Sequence, residues 1–213
     1  MKQLFVYLGI SLRSWWQFLY YNFFSKKVFR AKGHYLLPHR HVIIKVDNGS
    51  KIILNGSLLF GKPQVTGSKL ESWIWLEENS TLEINGLCFI GADSYIRVIK
   101  DGKLSIGNCY INDNFQVTCA KDIHIGDNTI IARDVTVRSF DGHIIETPGF
   151  EMSKSISIGN HVWVGQGVSI MKGVCIEDDS ILAAHSLVIK DVKSNTIVGG
   201  NPAKVIKTDV KWH

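Results

Sequence analysis

Aliphatic side chains recur at Ile158, Val164, Ile170, Ile176, Leu182 and Val188, each six residues after the last. A second phase, two residues ahead of the first, places small or β-branched residues at Val162, Val168, Val174, Ser180 and Ser186. An α-helix repeats its buried face about every 3.6 residues and a strand alternates every two, so neither produces two locked phases of six. Short strands stacked coil on coil and joined by tight corners do. The pattern therefore predicts an all-β solenoid, a parallel β-helix. Its corners need residues that tolerate positive φ, and Gly159-Asn160, Gly165 and Asp178-Asp179 stand where those corners fall.

Upstream the period is looser. Ile84, Ile90 and Ile96 keep it, as do Ile125, Ile131 and Val137, while Ile106-Gly107-Asn108 and Ile125-Gly126-Asp127-Asn128 repeat the corner signature. Asn55-Gly56, Asn85-Gly86 and Asp101-Gly102 mark further turns. The solenoid is expected from about Val42 to Val192, within a domain spanning 42–207, with a tail at 208–213. Its last coil would leave a bare strand edge, and Asn195 to Lys207, containing Gly199-Gly200-Asn201-Pro202, is the expected C-terminal cap. After Val137 the next aliphatic is due at position 143, yet the phase resumes only at Ile158. His143 opens that excursion, and the looped-out insertion at 144–156 carries Thr147-Pro148-Gly149 with Glu146, Glu151 and Lys154. A long loop on a rigid scaffold usually carries function.

Residues 1–41 read differently. Leu4, Leu8, Leu12, Trp15, Leu19 and Phe23 form a stripe at helical spacing, with Val6, Ile10 and Phe24 off it. The apolar run Leu4 to Leu12 lacks a small-residue cleavage site, the first alanine being Ala31, and Arg13, Gln17 and Asn22 interrupt any span of about 20 apolar residues. Two expectations stand side by side. Residues 1–30 lie peripherally in a lipid interface, with Trp15, Trp16, Tyr20 and Tyr21 at headgroup level and Lys26, Lys27 and Arg30 on phosphates, or the segment packs against a sister subunit. The formal charge of +5 over 213 residues belongs to this end: eight of the 24 bases precede the first acid, Asp47, and the remaining sixteen face 19 acids. Such asymmetry suits an anionic surface at one end of the molecule, and no nucleic-acid-binding motif is present. Cys88, Cys109, Cys119 and Cys175 form no CxxC pair, so the thiols are expected reduced and the protein cytoplasmic, at the inner face of the membrane.

Three segments then point to one family. Ile158-Gly159-Asn160-His161-Val162-Trp163-Val164-Gly165, Asp141-Gly142-His143 and Gly200-Asn201-Pro202-Ala203-Lys204-Val205-Ile206 resemble the hexapeptide-repeat acyltransferases, above all the galactoside-type and bacterial polysaccharide O-acetyltransferases. The resemblance covers roughly Ile106 to Lys207. It implies a left-handed, triangular β-helix, a homotrimer, and acetyl-CoA as co-substrate in the groove between neighbouring subunits, with no metal. It also makes His143 the catalytic base. A sugar hydroxyl attacks a thioester poorly unless its proton leaves as the bond forms, and an imidazole, with an ordinary pKa of about 6.5, suits that task. Asp141 could orient the imidazole or be only a turn residue. With no activated serine or cysteine beside His143, transfer is expected to be direct, with the oxyanion held by a donor such as a backbone N–H.

By the same resemblance an asparagine one coil earlier helps bind the acceptor, and Asn112 and Asn114 both lie near that place. Trp163 is expected to face outward and wall the acceptor or pantetheine channel. Gln166, Ala184, Ser186 and Lys190 would line pantetheine and phosphates, and Lys204 and Lys207 would meet the nucleotide end. His39, His41, His124, His161 and His185 read as surface residues, and His34 and His39, five apart, precede the solenoid. The implied activity is O-acetylation of a sugar in surface-polysaccharide biosynthesis, the acceptor being a glycan or a nucleotide- or lipid-linked sugar. N-acylation of an amino sugar uses the same donor and scaffold. A γ-type carbonic anhydrase would need three zinc-binding histidines from its coils, and a non-catalytic solenoid would need no histidine-bearing loop.

Overall fold

The computed structural model describes residues 12–64 and 69–213. Its strands form three sheets, parallel except for the last strand of the chain, and through Leu187–Val188 each sheet takes every third strand. Face 1 has seven strands running from Val28–Arg30 to Cys175–Ile176, and face 3 has seven from Val42–Val46 to Leu187–Val188. Face 2 has nine, from Leu36–Pro38 to Ile197–Gly199, closed by Lys204–Lys207. Successive hexads land on successive faces: Ile158 on face 1, Val164 on face 2, Ile170 on face 3. Three hexads make one coil, so Asn160 bonds to Asp178, 18 residues on.

The register shows why six-residue spacing is enough to specify this. Ile84, Ile106, Ile125, Ile158 and Ile176 stack as direct partners on face 1. Ile90, Ile111, Ile131, Val164, Leu182 and Val198 do so on face 2, and Ile74, Ile96, Val117, Val137, Ile170 and Val188 on face 3. All these residues belong to one continuous core. Each buried aliphatic removes enough apolar surface to contribute about 1.5–3 kcal/mol before entropy is counted. The second phase is also interior: Val162, Val168, Val174, Ser180 and Ser186 are all buried.

The corners divide two duties that the sequence assigns jointly to glycine and asparagine. Positive φ falls on Asn128, His161, Asp179 and Asn195 at one corner and on Asn114, Asp134 and His185 at another. Gly159 and Gly165 are required for a different reason. A Cβ on Gly159 would stand 2.8 Å from the Asp178 nitrogen, and one on Gly165 would stand 2.7 Å from the Ala184 nitrogen. Glycine is used there for close approach between coils rather than for φ.

The coils begin earlier than the expected Val42, since Val28–Arg30 pairs with Ile52–Leu54 and Leu36–Pro38 with Leu58–Phe60. They are also interrupted twice. Asn55 reaches Asn85 across 30 residues rather than 18, and residues 65–68 of that stretch lie outside the described residues. The second interruption is the expected one, and Asp127 reaches Asn160 across 33. At the C-terminal end Lys204–Lys207 pairs antiparallel with Ile197–Gly199, turning the last sheet edge back on itself as a cap.

The helix Leu12–Leu19 continues as a π-helical turn, Tyr20–Phe24, and lies on its own first coil. Phe18 packs among Trp15, Tyr35, Leu37, Leu59 and Phe89. Asn22 donates to the Leu36 carbonyl at 2.7 Å and accepts from the Leu36 amide at 2.9 Å, and Gln17 donates to the Val42 carbonyl. The segment thus closes the N-terminal end of the solenoid. Leu4 and Leu8 of the expected stripe lie outside the described residues. The rest of that stripe does not share one environment, because Trp15 turns toward the coil while Leu12, Leu19 and Phe23 stay exposed. Among the described residues no helix is long and apolar enough to cross a membrane.

Candidate functional site

The chain leaves face 3 at Arg138 and reaches face 1 again at Ile156. In between, the loop folds back on a short neck: Phe140 bridges antiparallel to Ser153, the Asp141 amide donates to the Met152 carbonyl, and the Lys154 amide to the Ser139 carbonyl. Lys172, just past the strand Ser169–Met171 of the next coil, clasps this neck. Its ammonium meets the Asp141 carboxylate and the Glu151 carbonyl and lies 4.3 Å from the Phe150 ring centre. Lys154 pairs with Glu151 at 3.0 Å. His143 stands immediately beyond the neck, exposed, followed by the exposed side chains of Ile144 and Ile145. Among the described residues the imidazole has no hydrogen-bond partner. The expected orienting contact from Asp141 is therefore absent here. The Lys172 ammonium is largely buried and takes the carboxylate as its counter-charge, so Asp141 holds the neck and not the ring.

The other expected site residues sit elsewhere on the solenoid. Asn114 and Gln166 occupy the corner between faces 2 and 3, where both amides donate to Asp134, at 2.9 and 3.0 Å. These two bonds hold the Asp134 carboxyl below its ordinary range. Asn114 also accepts from Gln116. Asn112 turns its Oδ1 to the Asp113 amide. Ala184 lies at the same corner, packed over Gly165. Ser186 needs correction as a ligand-lining residue: it is 1% exposed, and its hydroxyl donates to the Ala183 carbonyl and accepts from the Gly200 amide. Lys190, Lys204 and Lys207 are exposed, the last two on the capping strand.

Trp163 faces outward on face 2, between Ile130 and Ile181 of the neighbouring coils. Beside it the C-terminal tail returns over the sheet. The Val210 amide donates to the Asn195 carbonyl, and the Trp212 ring stacks on His161 at 4.0 Å and lies 6.0 Å from Trp163. His161 in turn meets Asp179 at 2.8 Å. Phe89, Tyr110, Ile130, His161 and Trp212 line a groove of about 470 Å³ on this face. Two groups result within one chain. His143 and its clasp stand at the corner between faces 3 and 1, whereas Trp163, Gln166, Ala184 and the capping lysines belong to face 2 and the corner between faces 2 and 3.

Lys172 and Trp212 escaped the sequence reasoning. Lys172 had a weak signal, a lone base inside an otherwise neutral run of hexads; Trp212 had none beyond being an aromatic in a polar tail. Of the remaining histidines, His39 departs from a plain surface residue. Half-burial next to Arg40, His41 and Lys62 pushes its pKa down to about 4. Among the described residues no three His, Cys, Asp or Glu side chains converge as a metal would require.

Hexads wound over three parallel sheets, with a histidine-bearing loop between coils, define a hexapeptide-repeat protein of the left-handed β-helix class. Residues 155–190 match the family described as bacterial transferase hexapeptide (six repeats). The chain is 39% identical over 119 residues to the polysialic acid O-acetyltransferase of Escherichia coli O1:K1 / APEC, covering 53% of this chain and 39% of that one. It is 39% identical over 104 residues to the galactoside O-acetyltransferase of Escherichia coli strain K12, covering 47% and 51%. The crystal structure of the polySia specific acetyltransferase NeuO superposes with a TM-score of 0.53 at 27% identity, over 89% of this chain and 90% of that one. LpxA from Acinetobacter baumannii, 19% identical over 85% of this chain and 70% of its own, shares the fold with a TM-score of 0.51. The matched stretches span from about two fifths to just over three fifths of the length of the curated relatives.

Proposed function

We propose that the protein transfers an acetyl group from acetyl-CoA to a sugar hydroxyl, in a bacterial surface polysaccharide or in its nucleotide- or lipid-linked precursor, in the cytoplasm at the inner face of the membrane. The observation that carries this is the clasped loop: a rigid hexapeptide scaffold is opened between Arg138 and Ile156 to hold out one imidazole, that of His143. The sugar oxygen attacks the thioester carbonyl while an imidazole nitrogen takes its proton. The tetrahedral oxyanion, held by a backbone N–H, collapses with cleavage of the C–S bond, and the imidazolium returns the proton to the leaving thiolate. The products are the acetyl ester and free coenzyme A. Asp141 serves as a positioning residue, fixing the backbone next to His143 through Lys172. The two O-acetyltransferases named above act, by name, on sugars, which supports the hydroxyl acceptor.

The separation of the two residue groups supports a homotrimer whose sites lie between copies. One copy brings the His143 loop. Its neighbour brings Trp163 as the channel wall, with Gln166 and Ala184 along the pantetheine and Lys190, Lys204 and Lys207 toward the phosphates. Asn112 and Asn114 lie one coil before the loop as acceptor contacts, Asn112 being the less engaged of the two.

His143→Ala should leave the assembly and its melting temperature intact while thiol release from acetyl-CoA falls by roughly 10²-fold or more, the loss expected of a missing general base. The assay is a screen of mono- and oligosaccharides, amino sugars included, with the acetylated atom located by mass spectrometry. Retention of most of the activity in the variant would remove His143 from the mechanism, and acetylation of nitrogen alone would move the reaction to amino sugars.

A further inference from the structure

The N-terminal end of the solenoid carries a surface that acetyl transfer does not use. Ser14, Phe18 and Asn22, four apart, are buried against the first coil. On the opposite side Leu12 (88%), Trp16 (68%), Tyr20 (44%) and Phe24 (71%), also four apart, point into solvent, flanked by exposed Leu19, Phe23 and Phe29. A helix at the end of a soluble β-helix needs only one apolar side, and the second is expected to be polar. Here it is aromatic, and the segment is fastened through Gln17, Tyr21 and Asn22 so that this side cannot rotate inward.

The exposed charges of the N-terminal segment itself are of one sign. Arg13, Lys26 and Lys32 are exposed, and the first acid of the chain, Asp47, comes only after the segment, on the first coil where its backbone carbonyl accepts from Lys27. Lys27 and Arg30 do not join them as the sequence suggests. Lys27 donates to the Val46 and Asp47 carbonyls, while Arg30 donates to the Asn22 carbonyl and lies 5.0 Å from the Phe23 and Tyr35 ring centres. Arg30 thus holds the π-turn, and Lys27 ties the chain just after it to the first coil.

We propose that this end face docks on an anionic lipid bilayer, with Leu12, Trp16, Tyr20 and Phe24 inserted at headgroup depth and Arg13, Lys26 and Lys32 on lipid phosphates. Aromatic side chains with a basic rim match the interface between acyl chains and anionic headgroups. A second copy fits worse, because a two-fold contact between the aromatic patches would bring together two segments that each carry these cations and no acid of their own. The β-helix axis then stands away from the bilayer with its first coil against the lipid.

The test is vesicle flotation of the full chain. The protein should rise with phosphatidylcholine vesicles containing about 30 mol% phosphatidylglycerol, and stay below with phosphatidylcholine alone. Binding to the anionic vesicles should fall at roughly 0.5 M salt, where surface charges are screened. Trp16→Ser with Phe24→Ser should cut the floated fraction about tenfold with no change in melting temperature, since both side chains are exposed. Arg13→Glu with Lys26→Glu should do the same. Equal flotation of the double variants and the parent, or none by the parent, would overturn the proposal. So would a parent that sediments without vesicles as end-to-end pairs which Trp16→Ser with Phe24→Ser dissolves, since the patch would then belong to a second copy. Acetylation of a soluble sugar should be unchanged in these variants, so a failure of docking and a failure of the transferase reading are distinguishable.

Discussion

Gly159 illustrates how much a single residue decides in a solenoid. Its amide donates to the Ile176 carbonyl, and its missing side chain lets Asp178 of the next coil cap the Asn160 amide at 2.7 Å. Gly159→Ala would drive a Cβ into the Asp178 side chain and to within 2.8 Å of the Asp178 backbone nitrogen, where no flexible side-chain end can yield. The expected cost is about 1–3 kcal/mol, as for overpacking a tight interior, read from chemical denaturation. The sequence marked this glycine correctly and for the wrong reason, because Gly-Asn suggests positive φ whereas the contact that forbids a side chain is with Asp178, 19 residues away. Ser186 shows the same limit from the other side. The six-residue phase groups it with Val162 and Val168, whereas the family resemblance placed it on a ligand; it is buried as they are.

At the scale of elements, the hexads were legible because one interaction, stacking of like aliphatics, repeats on all three faces once past Pro38 and Phe60 of the first coils. The start of the coils was not. Val28–Arg30 and Leu36–Pro38 join the sheets through backbone pairing and through Asn22 and Gln17, none of which imposes a period on the sequence. The loop was legible as an interruption of phase, with His143 at its edge. Its internal structure was not, since the clasp depends on Lys172 of the following coil meeting Asp141, 31 positions earlier in the chain. That clasp predicts a separable effect. Lys172→Ala should leave the stacked core unfolded no more readily than a surface substitution would, within about 0.5 kcal/mol plus the loss of one partly buried ion pair. It should speed proteolytic nicking within 142–151 and lower kcat for acetyl transfer by about tenfold, because a misplaced base costs rate more than binding. Lys172→Arg, which keeps the cation, should recover much of both. An unchanged nicking rate in Lys172→Ala would mean that the neck bonds of Asp141 and Lys154 suffice.

For the whole molecule the question is what covers face 2. Its inward column is as aliphatic as those of the other faces, but its outward column is apolar too: Leu59, Phe89, Tyr110, Ile130 and Trp163 follow one another up the sheet, with Phe89 and Tyr110 stacked at 5.0 Å. Phe18 of the chain's own helix packs on Leu59 and Phe89, which leaves Tyr110, Ile130 and Trp163 exposed. On face 1 the outward positions of the matching coils are Ile53, Glu83, Ser105, His124 and Ser157, mostly polar. On face 3 the outward column is apolar only in the first coils, Ile43, Trp73 and Tyr95, and then turns polar at Gln116, Thr136 and Ser169. The face 2 column suits contact between copies with near-parallel axes, and a closed three-fold ring requires each copy to use two different surfaces. Tyr110→Glu with Ile130→Glu would bury two unpaired carboxylates in such a contact and should dissociate it. In light scattering the parent is expected at about three times the 23.9 kDa chain mass and the variant near one. The β-helix itself should persist in the variant, because both side chains point away from the core. Acetyl transfer should vanish although His143, Asp141 and Lys172 are untouched, since the imidazole of one copy would have lost Trp163 and the lysines of the next. An active monomer would instead mean that face 2 and the loop serve separate purposes, and that the donor is held beside His143 by residues of a single chain.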